Sequence, residues 1–156
     1  MPIKDLDKKI LKQLLKDSRT SLSELATKVG ATRQTIAKKI DYFMDSGLVR
    51  SFTVKLDQEK LGLSIKAYVL IKEEPKSEYR EKNEMMIKDL PEVSSFYYLF
   101  GRYDAVAEVL VKDKEELTNL VKRIHKLEGI RETETLIVHS VVKDDMDDPY
   151  IKILEK

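Results

Sequence analysis

Three observations predict an α+β protein in two modules. Hydrophobic periodicity is helical throughout the first third of the chain, strand and helix patterns alternate through the rest, and the charge changes sign between them. Residues 1–60 carry 13 Lys/Arg against 8 Asp/Glu, a net of +5, whereas residues 61–156 carry 16 against 20, a net of −4. A basic head of this kind suits a polyanionic partner. The 156 residues leave room for one ordinary domain or two small ones, and charged residues make up 37% with the signs almost cancelling, as in a globular chain. With no Cys, disulfides, cysteine nucleophiles, thiolate metal sites and iron–sulfur clusters are excluded. No window approaches 18 apolar residues and the start, MPIKDLDKK, lacks the apolar stretch of a signal peptide, so a cytoplasmic protein with no membrane partner is expected.

The head, residues 1–50, reads as three helices. Leu6, Ile10, Leu11, Leu14 and Leu15 follow one helix face, with Asp5 or Asp7 as the expected cap. Ser21 with Glu24 forms a capping box for a short helix that turns Leu22, Leu25, Ala26 and Val29 inward and stops at Gly30. Thr32 then caps a third helix with an inward stripe of Ile36, Ile40, Phe43 and Met44, ended by Ser46-Gly47. Helix, short helix, tight turn and longer helix is the helix-turn-helix order. Removing the core stripe from the third helix leaves Arg33, Gln34, Thr35, Lys38 and Lys39, beside Thr32 at the cap. Arg forks onto a guanine edge, Gln onto an adenine edge, Thr meets a thymine methyl and Lys pairs with phosphate, so double-stranded DNA is the expected partner of this face.

Residues 51–61 connect the modules. Phe52, Val54 and Leu56 alternate with Thr53 and Lys55, which predicts a β-strand linker running into a turn at Asp57–Lys60. Residues 62–143 then follow the order βαββαβ, the ferredoxin-like unit. Its first strand alternates Ile65, Ala67, Val69 and Ile71, and its first helix carries Tyr79, Met86, Ile87 and Leu90. Strands over Val93–Phe100 and Ala105–Val111 flank a four-residue hairpin loop, Gly101-Arg102-Tyr103-Asp104. The second helix carries Leu117, Leu120, Val121, Ile124 and Leu127, and Thr133–Val142 is the last strand. Two helices cover one face of such a sheet. Tyr68, Leu70, Phe96, Tyr98 and Phe100 alternate with the inward residues, so a second apolar face is expected to be covered by another copy of the chain. Residues 144–156, with Asp144, Asp145, Asp147 and Asp148, read as an acidic tail unsuited to cover it.

The run from Leu6 to Leu11, the segments Ser18–Gly30 and Thr32–Ile40, Ser46-Gly47-Leu48-Val49, Leu61-Gly62 and Gly101-Arg102-Tyr103-Asp104 before an apolar strand together resemble the Lrp/AsnC (leucine-responsive/asparagine-responsive) transcription regulators. Lys39 stands where that family usually has Arg. The resemblance implies a winged helix-turn-helix domain, a ligand-sensing α+β domain, an amino-acid effector, and a homodimer that assembles further, for example into an octamer. Gly101 backbone N–H groups would take the effector carboxylate and Asp104 its ammonium, with Arg102, Tyr103, Thr133, Glu134 and Thr135 alongside. By spacing alone the same four residues make a simple hairpin turn.

No catalytic residue, metal site or cofactor is expected. His125 and His139 lack partners at metal spacing, and no phosphate-cradling glycine loop or nucleophile elbow occurs. The predicted function is therefore an effector-modulated, sequence-specific DNA-binding regulator. Two alternatives stand beside it: an abundant architectural DNA protein without effector, and an amino-acid-sensing regulatory subunit of a metabolic enzyme.

Overall fold

The computed structural model describes residues 3–155. The chain forms two compact units, residues 1–55 with 143–156, and residues 56–142.

In the first unit, α1 (Asp5–Lys16), α2 (Leu22–Val29) and α3 (Arg33–Asp45) surround a core of Ile10, Leu11, Leu25, Ala26, Val29, Ile36 and Phe43. The caps of α2 and α3 form as expected. Ser21 Oγ accepts from the Glu24 N–H at 3.2 Å, Thr32 Oγ1 accepts from the Thr35 N–H at 3.1 Å, and Gly30 adopts a left-handed conformation at φ 71°. The start of α1 differs from expectation. Lys4 occupies the cap position, and Asp7, inside the first turn, accepts the Lys4 N–H at 3.1 Å. Met44, expected inward, is exposed, because it lies about 80° around α3 from Ile36 whereas the buried Phe43 lies about 20° from it.

The segment 144–156 is not a bare acidic tail. It contains α6 (Asp147–Leu154), which packs on α1 and sends Leu154 into the core cluster. Lys12–Glu155 and Lys55–Asp147 ion pairs, at 3.6 and 3.7 Å, flank it. So small a helical domain is marginal alone, and this returning helix supplies part of the missing burial. Leu154→Ala should therefore loosen the first unit by roughly 2 kcal/mol, the low end for a core leucine since Leu154 lies at the rim. Hydrogen exchange read by mass spectrometry should show faster exchange across residues 5–45 and no change across 65–137. Equal protection in both proteins would show that α6 is ornamental.

The linker departs from its predicted strand. Among the described residues, 51–61 pair with no strand, and Phe52, Val54 and Leu56 are all exposed. Alternation gives a segment two faces, but a strand also needs a neighbour for its backbone groups. The turn beyond it forms, with Asp57 Oδ1 accepting from the N–H groups of Glu59 and Lys60 at 3.1 and 3.2 Å.

The second unit has the order β1 (Ile65–Glu73), α4 (Ser77–Lys88), β2 (Val93–Tyr98), β3 (Ala105–Val111), α5 (Lys114–His125) and β4 (Ile130–Ile137). The strands form one antiparallel sheet in the order β2-β3-β1-β4. Ala67, Val69, Ile71, Ala105, Ala107, Val109 and Val111 face the helices and meet Leu117, Leu120 and Ile124. In α4 the buried row is Asn83 and Ile87, while the expected Met86 is exposed. Asn83 earns its burial by donating Nδ2–H to the Glu128 carbonyl at 2.9 Å. Next to it Gly129, at φ 79°, faces the Tyr79 ring, and a Cβ there would lie 2.4 Å from Tyr79 Cδ2. The hairpin connection spans 99–104, six residues rather than four, and β4 is shifted forward from the predicted 133–142 to 130–137.

A bulge in β2 corrects the prediction for the uncovered face. Val93 pairs with Val109 but Ser95 with Glu108, so Ser94 is the extra residue and the side-chain parity flips beyond it. Phe96 and Tyr98 consequently share the helix side with Val93. The open face instead presents Tyr68 and Leu70 from β1, Val106 and Leu110 from β3, Leu136 from β4 and Tyr97 from β2, with a Lys66–Glu108 ion pair at 2.9 Å among them and Lys72, Glu132 and Glu134 beside them.

Candidate nucleic-acid interface and effector site

The first turns of α3 present Thr32, Arg33, Gln34 and Lys38 to solvent, with Thr35 half-buried. These positions avoid the core because Ile36 and Phe43 define the opposite side of the helix. The Thr32 hydroxyl is occupied as the cap, bonded to the Thr35 N–H and lying 2.8 Å from Thr35 Oγ1. Arg33, Gln34 and Lys38 therefore form the projecting set. Lys39 does not join it. Its Nζ lies 2.8 Å from Asp7 Oδ1, a carboxylate side chain only 4% exposed, and 5.9 Å from the centre of the Tyr42 ring. The expected phosphate or base contact at Lys39 is thus replaced by a tie to α1.

The sequence-predicted effector residues divide between the two faces of the second unit. Gly101 and Arg102 are exposed in the hairpin connection, with Gly101 near extended at φ 159°. The Tyr103 hydroxyl donates to Glu134, and that carboxylate holds the phenol above its ordinary pKa. Lys72 stands 5.4 Å from the centre of the Tyr103 ring and pairs with Glu132 at 2.6 Å, which holds the Glu132 carboxyl below its usual range. Arg102 also lies over the same ring, 5.5 Å from its centre. Thr133 and Thr135 are in register with Ile71 and Val69 on the helix side, and Thr133 Oγ1 lies 3.4 Å from His125 Nδ1. The structure thus brings Tyr103 and Glu134 together and places the two threonines on the opposite face.

Asp104 is fixed into the sheet. Its N–H donates to the Ile71 carbonyl at 2.9 Å, and its Oδ2 accepts from the Glu73 N–H at 2.9 Å, where β1 leaves regular pairing. Beside it lies a charged cluster the sequence reading missed. Glu73, almost fully buried, pairs with Arg80 Nε at 2.6 Å, and the Arg80 guanidinium covers the Tyr98 ring at 4.7 Å. The Glu73 hydrogen bond raises the Arg80 pKa, and burial, with Glu73 and Glu84 nearby, pushes the Tyr98 phenol up to about 12. The missing signal was three-dimensional, since residues 73, 80, 98 and 104 share no periodicity. Asp7 was more accessible: it lies three, four and seven residues before Ile10, Leu11 and Leu14 and so shares their stripe.

A helix-turn-helix head presenting Arg, Gln and Lys, followed by an α+β domain, defines a DNA-binding regulator with a sensor domain. Residues 3–50 match the winged helix-turn-helix DNA-binding model, and residues 66–148 match the Lrp/AsnC ligand binding domain. The chain belongs to the Lrp/AsnC family of transcriptional regulators, and its relatives are regulators rather than enzymes. An uncharacterised HTH-type transcriptional regulator of Pyrococcus horikoshii is 36% identical over 93% of this chain and 97% of its own. An HTH-type transcriptional regulator of Pyrococcus furiosus is 34% identical over 93% and 95%. Among solved structures, Escherichia coli AsnC superposes with a TM-score of 0.86 at 25% identity, covering 94% of this chain and 98% of that one. A Neisseria meningitidis regulator solved in complex with L-Met gives 0.88 at 21% identity over 93% and 95%, a likeness of fold. Among the described residues no helix is long and apolar enough to cross a membrane, and no cluster of three or more His, Cys, Asp or Glu forms a metal-binding group.

Proposed function

We propose that this regulator reads a specific operator with α3 and that a small amino acid, bound near the 99–104 connection, modulates its activity or assembly. The observation that carries the reading is the exposed set Arg33, Gln34 and Lys38 at the N-terminal end of α3, the end that meets base edges in helix-turn-helix proteins. Self-association through the open sheet face accompanies it, because Tyr68, Leu70, Tyr97, Val106, Leu110 and Leu136 make a largely apolar face whose charges at Lys66 and Glu108 and at Lys72 and Glu132 are already paired. A dimer would present two reading helices to a two-fold operator, and further assembly, such as an octamer, would multiply them.

Support for the effector comes from the ligand-binding model spanning 66–148, which includes every candidate residue, and from the L-Met complex of the meningococcal structure. Carboxylates at Asp104 and Glu134 suit an ammonium, and the exposed backbone at Gly101 suits a carboxylate. Selecting duplexes from a random pool, then repeating the binding with each of the twenty amino acids, tests the whole reading. Enrichment of no sequence would remove operator recognition. Enrichment without any amino-acid response would favour an architectural DNA protein.

The Asp104 contact sharpens the effector test. Asp104→Ala would strip the Glu73 N–H of its acceptor, at a cost of about 1–3 kcal/mol in stability, and would confuse loss of fold with loss of ligand. Asp104→Asn keeps an oxygen for that N–H and removes the charge. Isothermal titration with the most responsive amino acid should show at least roughly tenfold weaker binding for Asp104→Asn, the scale of one charge-assisted hydrogen bond, with unliganded DNA affinity unchanged. Equal affinities would take Asp104 out of the site.

A further inference from the structure

Among the described residues of the DNA-binding unit, one charged side chain, Asp7, is buried with the apolar core. Asp7 is 3% exposed and sits on the helix stripe that carries Ile10 and Leu11 toward Leu25, Ile36 and Phe43. One carboxylate oxygen accepts the Lys4 N–H at 3.1 Å and the other lies 2.8 Å from Lys39 Nζ. The beginning of α1 and a side chain of α3 thereby converge on a single carboxylate. Burial disfavours its charge, but Lys39 and the Lys4 amide outweigh burial and hold its pKa below the usual range, so the group is ionised at neutral pH.

We infer that the Asp7–Lys39 pair fixes the rotation of α3 about its own axis and is thereby a specificity-determining positioning pair for DNA reading. The inference rests on the proposed reading role of Arg33 and Gln34. Apolar contacts such as those Ile36 makes within its buried cluster are non-directional and tolerate a small roll of the helix. The Asp7–Lys39 ion pair does not, because a roll that withdraws Lys39 leaves a carboxylate only 3% exposed without its cation. Nor is stability what such a pair chiefly supplies, because well-packed apolar replacements of buried pairs are often as stable or more so. At 3.6 residues per turn, Lys39 lies about 60° around α3 from Ile36 and about 100° from Lys38, on the border between the core and the projecting face. With a helix radius of roughly 5–6 Å including side chains, a roll of about 20° shifts that face by roughly 2 Å. Such a shift is larger than the whole donor–acceptor window of a hydrogen bond, about 2.7–3.2 Å, so bidentate base contacts are lost. Lysine–phosphate attraction, made by the exposed Lys38 in water where a lengthened contact leaves no buried charge unpaired, survives it.

The test uses the full chain with two duplexes of equal length, one selected by the wild type from a random pool and one of random sequence. In the double variant Asp7→Leu/Lys39→Met, the melting temperature should stay at or above that of the wild type while the specific-to-random affinity ratio falls roughly tenfold, the loss of one base contact. Affinity for random duplex and its salt slope should not change. Lys39→Arg, which keeps the pair, should retain the ratio. If the double variant folds poorly, Asp7→Asn, which keeps the volume and an acceptor for the Lys4 N–H, should give the same loss of ratio. A folded variant with the wild-type ratio would make the pair merely structural and overturn the inference. Equal weakening on both duplexes with a salt slope lower by about one would instead put Lys39 on phosphate and overturn it too. Arg33→Ala and Gln34→Ala run in the same assay identify the remaining case: an unchanged ratio there removes the reading helix itself.

Discussion

Replacing Arg33 or Gln34 with alanine should cost about 1–3 kcal/mol each at a preferred operator and relax its sequence preference at the base each one reads. Both side chains project from the exposed end of α3. Lys38→Ala, by contrast, should weaken all duplexes alike and lower the magnitude of the salt slope by about one unit, because releasing one phosphate contact removes about one counterion from the balance. Fluorescence anisotropy against selected and random duplexes at several salt concentrations separates the two behaviours. A triple variant that bound the selected duplex as tightly as wild type would show that α3 does not read DNA.

A charge at Leu70 should dissociate the chain. Leu70 lies near the middle of the open sheet face, paired with Val106 on one side and Glu134 on the other. Leu70→Asp would bury an unpaired carboxylate in any self-contact made there, and roughly 3 kcal/mol of lost interaction raises a dissociation constant by more than about a hundredfold. Sedimentation velocity at micromolar concentration should then show a monomer where the wild type is dimeric or larger. Tyr98→Asp is the control: Tyr98 faces the helix side beneath Arg80, so its substitution should destabilise the fold rather than the assembly. A Leu70→Asp protein that kept the wild-type mass would place the interface elsewhere.

The contrast between Leu70 and Tyr98 shows where one-dimensional reading reaches its limit. Alternation placed β1 correctly on both faces, since its register against β3 is regular. In β2 a single extra residue, Ser94, inverts the pattern, and nothing in Val93-Ser94-Ser95-Phe96 marks a bulge. The helix-turn-helix was readable in detail because its signals are local: capping hydroxyls at Ser21 and Thr32 and the glycine at position 30 act within four residues. Lys39 was misread for the opposite reason. Its partner Asp7 lies 32 residues earlier, and only packing of α1 against α3 reveals that the charge is already engaged. The same holds for α6. Its apolar residues Tyr150, Ile153 and Leu154 follow a run of aspartates that dominates the composition, so the segment reads as solvent-facing until Leu154 is seen among the residues of α1 and α2. The effector region was legible as a loop but not as a set, because Thr133 and Thr135 share a strand with Glu134 and point the other way.

The return of α6 to the first unit also bears on how the protein is born. On the ribosome, residues 3–50 precede the whole α+β domain, yet Leu154, part of their core, follows it. The nascent helix-turn-helix must therefore wait, under-packed, while the intervening domain completes its own sheet from contacts that need nothing outside residues 65–137. Full packing of the reader thus comes only after the sensor has been synthesised. A chain released early would carry a folded sensor and a loosened reader.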